Sequence, residues 1–173
     1  LVPLVLVPAY ALPPTVLAVE APGQPVDANF GGKARLLRMD TWPADKVTPG
    51  LGLAVTLTWE VLERTDVPYT VAVHLLGAGD QIYCSATSYP GSGRPATTSC
   101  QPGRTFGEPY WLNVRPDGPT PTQGRVKGAL FHPSDPPAYL PVTNANGSPE
   151  GDALYWGDLR INATSDLTSD TAN

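Results

Sequence analysis

The sequence predicts an all-β chain, a two-sheet β-sandwich of jelly-roll or Greek-key type with about eight strands, and three observations carry that expectation. Leu51 to Leu62, LGLAVTLTWEVL, puts Leu51, Leu53, Val55, Leu57, Trp59 and Val61 at alternate positions. Only an extended chain gathers those side chains on one face, because successive Cβ atoms of a strand point to opposite sides. A second alternating run follows, with Tyr69, Val71, Val73 and Leu75 facing one way and Thr70, Ala72 and His74 the other. The third observation is punctuation: 21 prolines and 17 glycines in 173 residues suit many short strands joined by turns. That length suffices for one domain with a substantial core.

Three segments are expected in chain order: an apolar arm and Pro-rich linker over 1–25, the sandwich over 26–163, and a polar tail over 164–173. The opening LVPLVLVPAYALPP is too short to cross a bilayer and is interrupted by Pro3 and Pro8. Three readings of it stand side by side. It is the outer end of a membrane helix, a signal remnant with Ala9-Tyr10-Ala11 as cleavage site, or an assembly arm whose Leu1, Val2, Leu4, Val5, Leu6 and Val7 pair with a neighbouring copy. A short strand is expected over Val16 to Glu20.

Ala34 to Trp42 reads as a strand with Leu37 and Met39 inward and Arg38 and Asp40 outward. Pro43 and Pro49-Gly50 then turn the chain into the Leu51 strand. Gly77 to Asp80, GAGD, is a turn between antiparallel neighbours and leads to a strand over Gln81 to Ala86. Thr87 to Gly103 is turn-rich and crosses between sheets. Phe106 to Arg115 is extended, with Tyr110, Leu112 and Val114 opposite Trp111 and Asn113. Arg125 to Phe131 follows, with Val126 and Leu130 inward. Prolines keep the loop from His132 to Asp152 out of any central strand. Ala153 to Asn162 closes the fold, with Tyr155, Leu159 and Ile161 inward.

Composition narrows function. Charged residues are only 16% and the formal charge is −5, so no basic stripe exists to hold nucleic acid. Two cysteines and two scattered histidines cannot close a structural zinc site, and no metal or cofactor is expected. A disulfide between Cys84 and Cys100 is the expected reading, contributing about 3 kcal/mol and pointing to an oxidising compartment; two thiols are the plainer alternative.

Three phrases carry a family resemblance: VDANFGGKARLL over Val26 to Leu37, VTLTWEVL onward to Ile82, and RPATTSCQPGRTFGEPYWLNV over Arg94 to Val114. Together they resemble the C-terminal extracytoplasmic β-sandwich domain of bacterial membrane glycosyltransferase-like proteins, of the dolichyl-phosphate-mannose mannosyltransferase superfamily type in filamentous green bacteria. The N-F-G phrase, Asn29 to Leu37, opens that sandwich. Leu57 to Leu76 forms its paired central strands, and Pro95 to Gly103 precedes a later one. Cys100 stands where the family has a tryptophan, which fits a bridge replacing an aromatic anchor. The resemblance implies an extracytoplasmic accessory domain, anchored through a segment before Leu1, with the membrane portion of its own parent chain as partner. Any transferase centre would lie in that portion.

Within this segment no catalytic residue is assigned. His74 and His132 lack an accompanying nucleophile elbow, and Glu60, Asp80, Glu108 and Asp158 read as solvated charges on outward faces. Trp42, Trp111 and Trp156 stand opposite the inward registers of their strands and are candidates to stack on sugar rings. Packing beneath loops is the alternative. Asn162-Ala163-Thr164 is a glycosylation sequon. An accessory or interaction domain is therefore expected, with a self-assembling surface or filament subunit and a carbohydrate-binding module as alternatives.

Overall fold

The computed structural model describes residues 23–90, 98 and 100–163. The arm residues Leu1, Val2, Leu4, Val5, Leu6 and Val7, the strand expected at Val16 to Glu20, and the 164–173 tail lie outside the described residues.

Two sheets form the fold. The first contains β1 (Gln24–Phe30), β2 (Ala34–Trp42), β4 (Gly52–Val61), β7 (Thr105–Asn113), β10 (Val142–Thr143) and β11 (Pro149–Gly151), ordered β11-β10-β1-β2-β4-β7. The second runs β3-β12-β8-β5-β6, from β3 (Lys46–Val47), β12 (Leu154–Ile161), β8 (Thr122–His132), β5 (Thr70–Leu76) and β6 (Ile82–Ser88). A short β9 (Ala138–Tyr139) pairs with β8. Neighbours are antiparallel except β3 and β12, which run parallel. Among the described residues no helix is long and apolar enough to cross a membrane.

The alternation in β4 does what its sequence dictates. Leu53, Val55, Leu57, Trp59 and Val61 are buried, while Ala54, Thr56, Thr58 and Glu60 lie on the outer face and are only partly covered. Across the core, Val71, Val73 and Leu75 of β5 are buried as expected. The two strands do not pair, because Glu63 to Pro68 carries the chain from one sheet to the other. Phe30 meets Trp59 edge to face, with ring centroids 5.1 Å apart.

Bulges correct two expected registers. The β2–β4 pairing shifts between Leu36 and Arg38, so Leu36 and Met39 are the buried pair and Leu37 is the extra residue. In β12 the shift falls between Trp156 and Leu159, at Gly157 with φ of 76°. Leu154 and Trp156 therefore take the inward register before the bulge, and Leu159 and Ile161 take it after. Tyr155, expected inward, is outward and 43% exposed.

A glycine clamp fixes one end of the sandwich. Tyr83 is buried, its hydroxyl donates to the Pro119 carbonyl, and a Cβ at either Gly77 or Gly118 would come within 2.3 Å of one of its ring carbons. Gly77→Ala or Gly118→Ala is therefore expected to cost about 1–3 kcal/mol through overpacking, read as a lower urea midpoint. Gly52→Ala serves as control. There the new methyl would meet only the Leu112 carbonyl oxygen at 3.9 Å, and the change should stay within about 0.5 kcal/mol.

Candidate functional site

The outer face of the first sheet is the candidate site. Trp42 is paired with Ala54, and Ala54 with Trp111, so three neighbouring strands contribute one row across the sheet. Both tryptophans are 70% exposed. Each lies outward for the same reason: its strand neighbours in the other register, Leu112 on β7 and Val55 opposite Thr41, belong to the core side. The next row is Asp40, Thr56 and Pro109, and the one after is Arg38, Thr58 and Gly107. Two indoles thus stand on either side of a low floor of alanine, threonine, proline and glycine. Exposed tryptophan of this extent is uncommon on a soluble surface, where burying the ring is worth several kcal/mol. Further along, Arg35 lies 3.5 Å from Asp27 and 3.9 Å from Glu60, and closes the face with charge.

Trp156 does not join this face. It packs against the core of the other sheet, with its six-membered ring over Gly128 and its indole N–H buried without a partner. It also lines an open cleft of about 760 Å³ along the side of the sandwich, together with Asp40, Asp45, Arg125, Tyr155 and Asp158. Arg125 lies 4.6 Å over the Tyr155 ring and bonds Asp80 at 2.5 Å.

The carboxylates expected on outward faces divide. Glu60 is outward, Asp80 holds Arg125, and Asp158 sits beside the β12 bulge, in accord with expectation. Glu108 is the exception: it pairs opposite Leu57 on the core side, is buried, and accepts a 2.7 Å hydrogen bond from the Tyr110 hydroxyl. Burial, and secondarily this bond to Glu108, pushes the Tyr110 phenol well above its ordinary range. The pair joins β7 near Ser88 of β6 and is structural in position, not part of the exposed face.

His74 stands between Ser85 and Lys127 on the outer face of the second sheet, where burial and then the Lys127 charge lower its pKa. His132 is distant from it in β8, with Nδ1 3.2 Å from the Pro68 carbonyl oxygen. Among the described residues no cluster of three or more His, Cys, Asp or Glu side chains is placed to hold a metal. Asn162 is half-buried, its N–H donating to Val47 at 2.9 Å, and the threonine of its sequon is outside the described residues.

Cys84 and Cys100 are both buried and are not joined to one another in the structure. Cys84 faces the core from β6, whereas Cys100 lines a small apolar recess with Trp59, Val71 and Leu130. The sulfur atoms therefore supply no argument for an oxidising compartment. Burial pushes the Cys84 thiol up to about 12. With so little thiolate at pH 8, Cys84 is expected to resist iodoacetamide in the folded chain and to react once the chain is unfolded. Peptide mass mapping reads both states, and prompt native labelling would contradict the burial.

No family model matches the sequence, and no curated protein matches it. Among solved structures the chain is similar to the C-terminal domain of wzt, at 10% identity over 80% of each chain with a TM-score of 0.50. A Bordetella pertussis protein assigned as ApaA aligns with 82% of this chain and 98% of its own, at 14% identity and a TM-score of 0.32, a superposition too loose to say more. The first likeness supports the β-sandwich fold. It does not extend to the glycosyltransferase-associated family that the sequence phrases resemble.

Proposed function

We propose that this sandwich is a non-catalytic binding module of a cell-envelope protein, working outside the cytoplasm and taking glycan on the outer face of its first sheet. The observation that carries the reading is the row Trp42, Ala54, Trp111, with both rings 70% exposed and separated by one small side chain. Indole faces stack on the C–H faces of sugar rings, while Asp40, Thr56, Thr58 and Asn113 nearby offer bonds to hydroxyls. Likeness to a domain that stands at the C-terminal end of a larger protein supports an appended, accessory role. In this reading the parent chain supplies the membrane anchor and any chemistry, including a glycosyltransferase centre, and the module holds acceptor glycan near it.

The test is glycan-array binding by the intact chain and by Trp42→Ala and Trp111→Ala. Each substitution is expected to weaken binding tenfold or more and the pair to abolish it, as anchoring tryptophans do in other interfaces. Stability should move by no more than about 0.5 kcal/mol, since neither ring contributes to the core. Glycan binding that survives the double substitution removes the face from consideration.

A further inference from the structure

Resting on that reading, we infer that the ligand is an oligosaccharide chain lying across the strands, running off β2 into the side cleft, and that the cleft favours neutral or amino-bearing sugars over acidic ones. Direction follows from where the rings are. Trp111, Ala54 and Trp42 belong to three successive strands, so the indoles are two strand spacings apart, about 10 Å between Cα atoms. One sugar ring cannot stack on both. Along the strands the path is different: from Trp42 it meets Asp40 and Arg38, and from Trp111 it meets Pro109 and Gly107, with no second aromatic ring. Among the described residues, aromatic footholds for a chain on this face therefore lie across the sheet.

The row leads to an opening. Among the described residues β1 begins pairing with β2 at Gln24 opposite Met39, and none pairs with Thr41 or Trp42 on that side. On the other sheet, β3 pairs with β12 only at Arg160 and Ile161, leaving Tyr155 to Asp158 free of it. Between these two strand margins lies the 760 Å³ cleft, a volume in the range of small-molecule sites. Asp40, two residues before Trp42 and in the same outward register, forms its near wall. Tyr155, an exposed ring flanked by Arg125 at 4.6 Å, forms its far wall.

Charge gives the selectivity. The lining carries Asp40, Asp45 and Asp158 against one guanidinium, Arg125, which Asp80 already engages at 2.5 Å; the Lys127 ammonium stands outside the lining, 5.6 Å from the centre of the Tyr155 ring, so carboxylates outnumber cations at the cleft three to two. A uronic or phosphorylated sugar entering here meets like charge, whereas hydroxyls and ammonium groups find acceptors. The preference is screened by salt, because the carboxylates face solvent.

The experiment compares, on one array at low and at 150 mM salt, chito-oligosaccharides of one to six units, their de-N-acetylated counterparts, oligogalacturonides of the same lengths, and a panel of bacterial surface glycans. Bound glycans are expected to be chains without carboxylate or phosphate, with single sugars silent. Asp40→Asn, Asp45→Asn and Asp158→Asn together should weaken amino glycans and strengthen acidic ones severalfold, so that the ratio of acidic to amino glycan binding rises by the product of the two changes. Preferred binding of acidic glycans, single sugars binding as well as chains, or an unchanged charge preference in the triple variant overturns the inference. If only these fail while the tryptophan substitutions abolish binding, the glycan face stands and the cleft does not. An array silent for the unmodified chain removes both.

Discussion

Trp59→Ala is expected to cost about 3–5 kcal/mol, enough to unfold much of a domain whose total stability falls in the usual 5–15 kcal/mol range. Trp59 is 3% exposed, lies on the β4 inner face, and packs edge to face on Phe30. Truncation removes that contact and leaves a cavity between two sheets that cannot collapse without moving β2 and β4 together. The conservative change separates packing from polarity. The Trp59 indole N–H is buried with no hydrogen-bond partner, so Trp59→Phe loses ring area but also sheds an unsatisfied donor. It should cost less than half as much as the alanine. Urea titration of both variants checks the order, and equal losses would mean that ring packing is not what Trp59 contributes.

Tyr110→Phe is expected to cost about 1.5–3 kcal/mol, the scale of a buried hydrogen bond to a carboxylate, because Glu108 keeps its burial and loses the phenol donor. Replacing both, Tyr110→Phe with Glu108→Leu, should recover much of the loss, since the buried carboxylate is removed together with its phenol donor and the half-buried Ser88 hydroxyl that also meets Tyr110 can turn to water. The same pair sets an alkaline limit. Folded Tyr110 holds its proton to higher pH than an unfolded tyrosine, so above about pH 10 the native state binds more protons than the unfolded chain. Its contribution is therefore complete below that pH and falls as pH rises beyond it. Tyr83 and Cys84, both raised by burial, pull the same way. Stability measured between pH 8 and 11 should decline at the alkaline end, and less steeply in Tyr110→Phe. A flat profile would contradict the buried phenol.

How much of this was legible in the residues depends on the bulges. β4 could be read directly because ten residues alternate without interruption, and Leu53, Val55, Leu57, Trp59 and Val61 are inward as expected; Leu51, expected with them, lies before the strand begins and is exposed. Tyr155 and Trp156 were assigned to the wrong sides because Gly157 and Asp158 insert into the ladder and flip the register; only the glycine, at φ of 76°, hinted at it. Leu36 and Leu37 are two adjacent leucines of equal hydrophobicity, so periodicity alone could not say which one the β2 bulge expels. Strands as short as β3, β9 and β10 carry no period at all. Of the candidate site, Trp42 and Trp111 were legible as outward residues. Their alignment through Ala54 was not, since cross-strand register between β2, β4 and β7 is a tertiary fact. Glu108 was misplaced because a carboxylate is rarely buried, and its justification, the Tyr110 hydroxyl two residues on, becomes visible only when both are seen to point inward.

Ala54, Thr56 and Thr58 alternate with Leu53, Val55, Leu57 and Trp59 along one strand, one set in the floor of the proposed recognition face and the other in the interior. Drift in the first set can retune what the module holds while the second keeps the molecule folded. On the proposed reading, a lineage carrying this sheet can follow a changing glycan by editing a few short side chains, and a protein engineer can take the same route.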